Sequence, residues 1–232
     1  MNTPNSPVPA GSVGARLRDS ALSLRTRVRA AASSTGDRFR DALDLRPLSV
    51  ADLARIPVFA ALTAVLAQAS VHLFGNAVPI TGQTLGVMLA GLILGPIPGG
   101  LAMVVYVALG AAGLPIFANA TAGVGVISGP TGGFILAFPV AAFAIGLLTA
   151  RARTLTPAIA FSACVTGGIA LVYLIGVPWL AWRLELTAEE AIVAGAVAFV
   201  PGDLIKAALA TYIAVGVYRA YPALGGVRAR TS

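Results

Sequence analysis

Between positions 56 and 150 the chain carries no aspartate, glutamate, lysine or arginine. A soluble domain turns a polar face of each element to water, and a stretch of this length without a charge has no such face to turn. It is long enough for several membrane spans of about 20 residues each. The rest of the composition agrees, with 57% hydrophobic residues, 11% charged residues and a mean hydropathy of +0.87. The bilayer is the solvent this sequence is written for.

Turn formers divide the apolar sequence and predict an all-α membrane protein of six transmembrane helices, at 56–74, 79–94, 99–114, 132–150, 157–177 and 191–218. Thr81, Gly82 and Gln83 make the start of the second irregular, and Pro201 interrupts the last. Proline is tolerated in the first turn of a helix because its missing N–H would be unpaired there anyway, so the regular part of the sixth span is expected to start at Pro201.

Arginine sets the orientation, since short cytoplasmic loops retain positive charge. Nine arginines lie between Arg16 and Arg55, Arg151 and Arg153 sit between spans four and five, and Arg219, Arg228 and Arg230 follow span six. Six spans put all three groups on one side, which makes both termini cytoplasmic. The segments 75–83, 115–131 and 178–190 then face outside. The domain reading is an Arg-rich arm at 1–50, disordered or lying on the membrane surface, a six-helix transmembrane domain at 51–220, and a cytoplasmic tail at 221–232. The arm does not read as a secretory signal, because its charged stretch is too long and the apolar sequence beyond it continues into more spans. The net charge of +7 sits in that arm and at helix ends, where anionic headgroups account for it, so the partner implied is lipid rather than nucleic acid.

Several chemistries are excluded. Cys164 is the single cysteine, so neither a disulfide framework nor a Cys-rich metal site forms within one chain. His72 is the single histidine, and Ser128-Gly129 lacks the preceding glycine of a nucleophile loop, so no catalytic set assembles around it. There is no G-x-x-x-x-G-K-[ST] phosphate loop, and the one lysine, Lys206, follows Ile205. The chain does not hydrolyse ATP, and no cofactor or metal is implied.

Asp203 and Lys206 are the informative polar residues, because ionisable groups inside an apolar span are expensive and face a cavity or a partner. Three residues apart on a helix, they share a face and can serve one pocket, or they can neutralise each other as a structural pair. A carboxylate accepts N–H bonds, and an ammonium donates to a carbonyl or carboxylate. The segment 113–133 is rich in glycine and holds one amide, Asn119, that both donates and accepts. A loop this irregular at membrane depth lines a cavity or is buried in protein. Ala60 and Ala64 have the small-x-x-x-small spacing that lets another helix approach closely, within the chain or from a partner.

Four segments in order carry a family resemblance: Val78-Pro-Ile-Thr-Gly-Gln-Thr-Leu85, Gly110-Ala-Ala-Gly-Leu-Pro-Ile-Phe117, Gly129-Pro-Thr-Gly-Gly133 and Pro201-Gly-Asp-Leu-Ile-Lys206. Over about residues 55 to 220 the chain resembles the BioY family, the biotin-specific S components of energy-coupling factor (ECF) transporters. The resemblance implies high-affinity biotin binding and uptake across the bacterial cytoplasmic membrane, with a transmembrane coupling subunit and two ATPase subunits as partners. A self-sufficient biotin carrier and an S component for another vitamin are the alternatives. It further implies that Asn119, Asp203 and Lys206 read the ureido ring. Phe117, Tyr173 and Trp179 are candidates to pack the apolar part of the ligand, and Ala60 and Ala64 are candidates to face the coupling subunit. Gly82, Ala120 and Ala122 depart from the residues expected at their positions.

Overall fold

The computed structural model describes residues 48–71, 80–150 and 155–221. Nearly all of the arm at 1–50 and of the tail at 221–232, and also His72, Arg151 and Arg153, lie outside these. Among the described residues there are six apolar helical segments: α1 Val50–Gln68, α2 Gln83–Leu94, α3 Pro96–Ala111, α4 Gly132–Ala150, α5 Pro157–Leu184 and α6 Ala188–Ala220. Four of them, α1, α4, α5 and α6, are long and apolar enough to cross a bilayer, and α2 and α3 are shorter. A two-residue antiparallel pair, β1 Ser70–Val71 with β2 Ile80–Thr81, joins the end of α1 to the start of α2.

The helices depart from their predicted bounds for identifiable reasons. α1 starts at Val50 rather than 56, because Ser49 and Asp52 form a reciprocal cap: the Ser49 hydroxyl accepts the Asp52 N–H at 3.1 Å, and the Asp52 carboxylate accepts the Ser49 N–H at 3.0 Å. A reading that stopped at the charges of Asp52 and Arg55 could not include that turn. α5 runs through Pro178 to Leu184 and ends on Glu185 in the left-handed region, so the external segment expected at 178–190 shrinks to a tight turn. Thr187 and Glu190 then cap the start of α6 in the same reciprocal way as Ser49 and Asp52. α6 is interrupted as expected: a π-helical stretch, Val193–Val197, precedes the regular helix Val200–Ala220, with Pro201 in its first turn.

Small residues bring the helices close enough to pack without an aqueous hydrophobic drive. α4 is the central element, with 56% of its apolar window buried, against 22% to 39% for the other long helices. A Cβ on Gly91 of α2 would stand 2.6 Å from the Ala142 carbonyl oxygen of α4, and one on Gly99 of α3 would stand 2.8 Å from the Ala90 carbonyl oxygen. A closer backbone contact is at Gly146, where a Cβ would meet the Pro96 nitrogen at 2.3 Å and the Gly95 carbon at 2.4 Å. Val87, Met103, Tyr106, Phe138 and Ala141 fill the space these contacts leave. Outward-facing Val58, Val65, Leu174, Ile205 and Tyr212 are each more than 60% exposed, an apolar surface that suits lipid and not water.

The Gly146 contact is with backbone that cannot rotate away. We expect Gly146→Ala to lower unfolding stability by about 1–3 kcal/mol, measured by denaturation in detergent.

Candidate functional site

One cavity of about 360 Å³ opens among the N-terminal ends of α2 and α4, the middle of α5 and of α6, and the loop between α3 and α4. Its size falls within the ~300–1,000 Å³ range of small-molecule sites. Its walls are mainly apolar, with Phe134, Ile135, Phe138, Val172 and Phe199 among them, and its polar groups gather at one end. Helix direction places it at the end of the bundle opposite Arg55, near the start of α1, and Arg219, in the last turn of α6. The positive-inside bias makes that end the outer one.

Asp203 and Lys206 form the polar end. Asp203 stands in the first turn of Val200–Ala220, where the helix dipole favours a negative group. Its Oδ1 accepts from Lys206 Nζ at 2.8 Å and from the Thr84 hydroxyl at 2.9 Å, and its Oδ2 accepts from the Tyr173 hydroxyl at 2.5 Å. Lys206 also donates to Thr84 Oγ1 at 3.2 Å. The carboxylate is 4% exposed and the lysine side chain 17%. A carboxylate has about four lone-pair sites and an ammonium has three N–H donors, so this network leaves one acceptor site on Oδ2 and one donor on Nζ. The site is electrically neutral, pre-oriented and able to pair with a ligand group that offers an N–H beside a carbonyl.

The loop between α3 and α4 supplies the opposite wall. The Phe117 ring is fully buried where Gly110 lacks a side chain, since a Cβ there would lie 2.2 Å from the ring. It meets Tyr106 edge-on at 5.5 Å between centroids. Phe117 therefore borders the cavity chiefly as the anchor of its own loop. The Tyr106 hydroxyl donates to the Ile116 carbonyl at 3.1 Å and accepts from Gln83 Nε2 at 2.6 Å, which ties the loop to the start of α2. Asn119 also lines the cavity, and its backbone lies in the left-handed region at φ 57°.

The residues expected from sequence are thus only partly brought together. Asn119, Asp203, Lys206, Phe117 and Tyr173 line the cavity, and Tyr173 contributes a hydroxyl donor as well as a ring. Trp179 does not line it. Its indole N–H donates to the Gly129 carbonyl at 2.9 Å, and a Cβ on Gly133 would stand 2.3 Å from the Trp179 Cβ, so it backs the Gly-Pro-Thr-Gly-Gly wall from behind. For Ala60 and Ala64, the alternative of packing within the chain has the support of their burial. Ala60 is 4% exposed and packs in the core of this chain with Ala64 partly buried beside it, while Ala54, Val58, Ala61 and Val65 are exposed on α1. The small residues of that pair serve packing within the bundle. Sequence reasoning missed Thr84 and Gln83 as site residues, although both stand in the segment quoted above for the family resemblance. It missed Tyr106 because nothing local distinguishes a buried tyrosine that packs from one that bonds.

A family model described as the BioY family matches residues 38–223. A probable biotin transporter BioY from Bacillus subtilis is 39% identical over 75% of this chain and 93% of its own length. The biotin transporter BioY of Rhodobacter capsulatus is 40% identical over 68% of this chain and 88% of its own length. A crystal structure of the S-component for biotin from an ECF-type ABC transporter superimposes with a TM-score of 0.69, at 26% identity, covering 73% of this chain and 92% of that one.

The buried pair sets an expectation for stability. Lys206→Ala strands the Asp203 carboxylate and should cost about 3–5 kcal/mol in denaturant unfolding, with part of the loss recovered in the Asp203→Asn, Lys206→Ala double variant because no charge is then left unpaired.

Proposed function

The chain belongs to the BioY family, and from that membership we propose that it binds biotin at the outer face of the bacterial cytoplasmic membrane as the substrate-binding subunit of an ECF importer. It is a multi-pass membrane protein of a transporter family, not an enzyme. The observation that carries the reading is the neutral Asp203–Lys206 pair, which keeps one acceptor and one donor open at the polar end of an otherwise apolar cavity.

A ureido ring has two N–H donors and a carbonyl with two lone pairs. Asp203 accepts one N–H and Lys206 donates to the carbonyl, each a charge-assisted contact because the protein group is ionised, and Asn119 adds a neutral N–H donor to the same carbonyl. The thioether ring and the aliphatic chain lie along Phe134, Ile135, Phe138, Val172 and Phe199. A carboxylate does not suit this end, because Asp203 already neutralises Lys206 there. The ligand therefore enters ring first. The transmembrane domain at 51–220 does the binding, and the arm at 1–50 stays on the cytoplasmic side with the tail. Energy comes from outside the chain, from the transmembrane coupling subunit and two ATPase subunits with which it associates.

Biotin titration of the purified, detergent-solubilised chain by calorimetry tests this. Tight binding is expected for the wild type, and Asp203→Asn and Lys206→Ala should each weaken it by more than about 2 kcal/mol by leaving a buried partner unpaired. A folded wild-type chain that does not bind biotin overturns the assignment.

A further inference from the structure

A second polar cluster lies outside the cavity, where α1 ends. Gln68 Nε2 donates to the carbonyls of Ala64 at 3.0 Å and Phe117 at 3.2 Å, and its Oε1 accepts the Ala120 N–H at 3.0 Å. Two residues on, the Ser70 hydroxyl donates to Asn119 Oδ1 at 2.5 Å. The turn that Gln68 holds contains Asn119 at φ 57° and Ala120 at φ 54°, two successive non-glycine residues in the left-handed region. Asparagine visits that region with some ease as a single residue, whereas alanine pays for the clash of its Cβ with the carbonyl oxygen. Strain of this kind persists only where the surroundings over-determine the backbone.

The Ala120 side chain is exposed and does not line the cavity, so its backbone geometry serves its neighbour. That neighbour is Asn119, which does line it. With Ser70 donating to its Oδ1, the Asn119 amide is oriented and its NH₂ stays available to an acceptor.

We propose that Gln68 is a positioning residue of the binding site, clasping the Phe117–Ala120 turn in its left-handed form so that Asn119, oriented by Ser70, presents its amide NH₂ to the ligand carbonyl. This rests on the reading of the cavity as a biotin site. The clasp comes from α1, which contributes no residue to the cavity wall. It stiffens the loop before ligand arrives, so that less ordering is left for binding to supply.

The test is calorimetric biotin titration of the full chain in detergent for the wild type, Gln68→Ala, Ala120→Val, Ala120→Gly and the Gln68→Ala, Ala120→Gly double variant, with thermal unfolding recorded for each. Gln68→Ala and Ala120→Val should each weaken binding by about tenfold or more, the second because a β-branched residue resists positive φ. Ala120→Gly should bind at least as tightly as the wild type, and in the Gln68→Ala background it should recover most of the loss, a rescue that a merely structural role for Gln68 would not produce. Wild-type affinity in both Gln68→Ala and Ala120→Val overturns the inference, as does a double variant no better than Gln68→Ala alone. If Gln68→Ala does not fold, the opposite directions expected of valine and glycine at Ala120 decide it. A wild-type chain that binds no biotin overturns instead the reading beneath, and biotin binding that these variants leave unmoved overturns only this one.

Discussion

Inside a bilayer no water pairs with a free peptide group, and the rest of this architecture follows from that constraint. Helices satisfy it by themselves. The loop between α3 and α4 cannot, and it survives beside the cavity because side chains from other elements take up its carbonyls: Tyr106 that of Ile116, Gln68 that of Phe117, and Trp179 that of Gly129. Each of these donors is rooted in a different helix, α3, α1 and α5. The irregular wall of the pocket is therefore held by the regular frame around it, and the glycines of the loop are what let the frame come close enough to reach.

The charged pair obeys the same economy. Two ions in an apolar span are tolerable when they neutralise each other and when their remaining bonding capacity is used. Thr84 and Tyr173 use most of it, from α2 and α5. What is left over is small and directional, and it defines the ligand chemistry more narrowly than the apolar walls do. Those walls accept many shapes of similar size, and the polar end accepts few.

Asp203 and Lys206 were legible in the sequence because a charge within an apolar span has no bland surface role available to it. The same logic read the glycine-rich loop and the break at Pro201. It failed where partners are supplied across the bundle. Thr84 looks like any helical threonine until α6 is placed against it, and Gln68 belongs to none of the segments that carried the family resemblance. Trp179 was read as a ring that packs ligand, yet its consequence is a single N–H bond to a carbonyl on the far side of the wall. Ala60 shows the limit of spacing, which reveals that a helix can be approached closely, but not from which side. The ends of α1 and α5 were missed because charge and proline ordinarily stop a span, and here a reciprocal cap and a tolerated Pro178 carry the helices past them.

Both α5 and α6 contain a π-helical stretch, Cys164–Leu171 and Val193–Val197, and each gives way to residues that face the cavity, Val172 and Tyr173 in one case and Phe199 and Asp203 in the other. A π turn takes in more residues than an α turn, so it resets the angular phase of whatever follows. Before the reset in α5, Ala160 and Ala163 pack into the inner core with Met88 and Ile145, while beyond it the same helix turns Tyr173 toward the polar pair. The two ends of the helix are thereby decoupled in register. A lineage can retune one without reworking the other, much as a vernier lets one scale slide against a second that stays fixed.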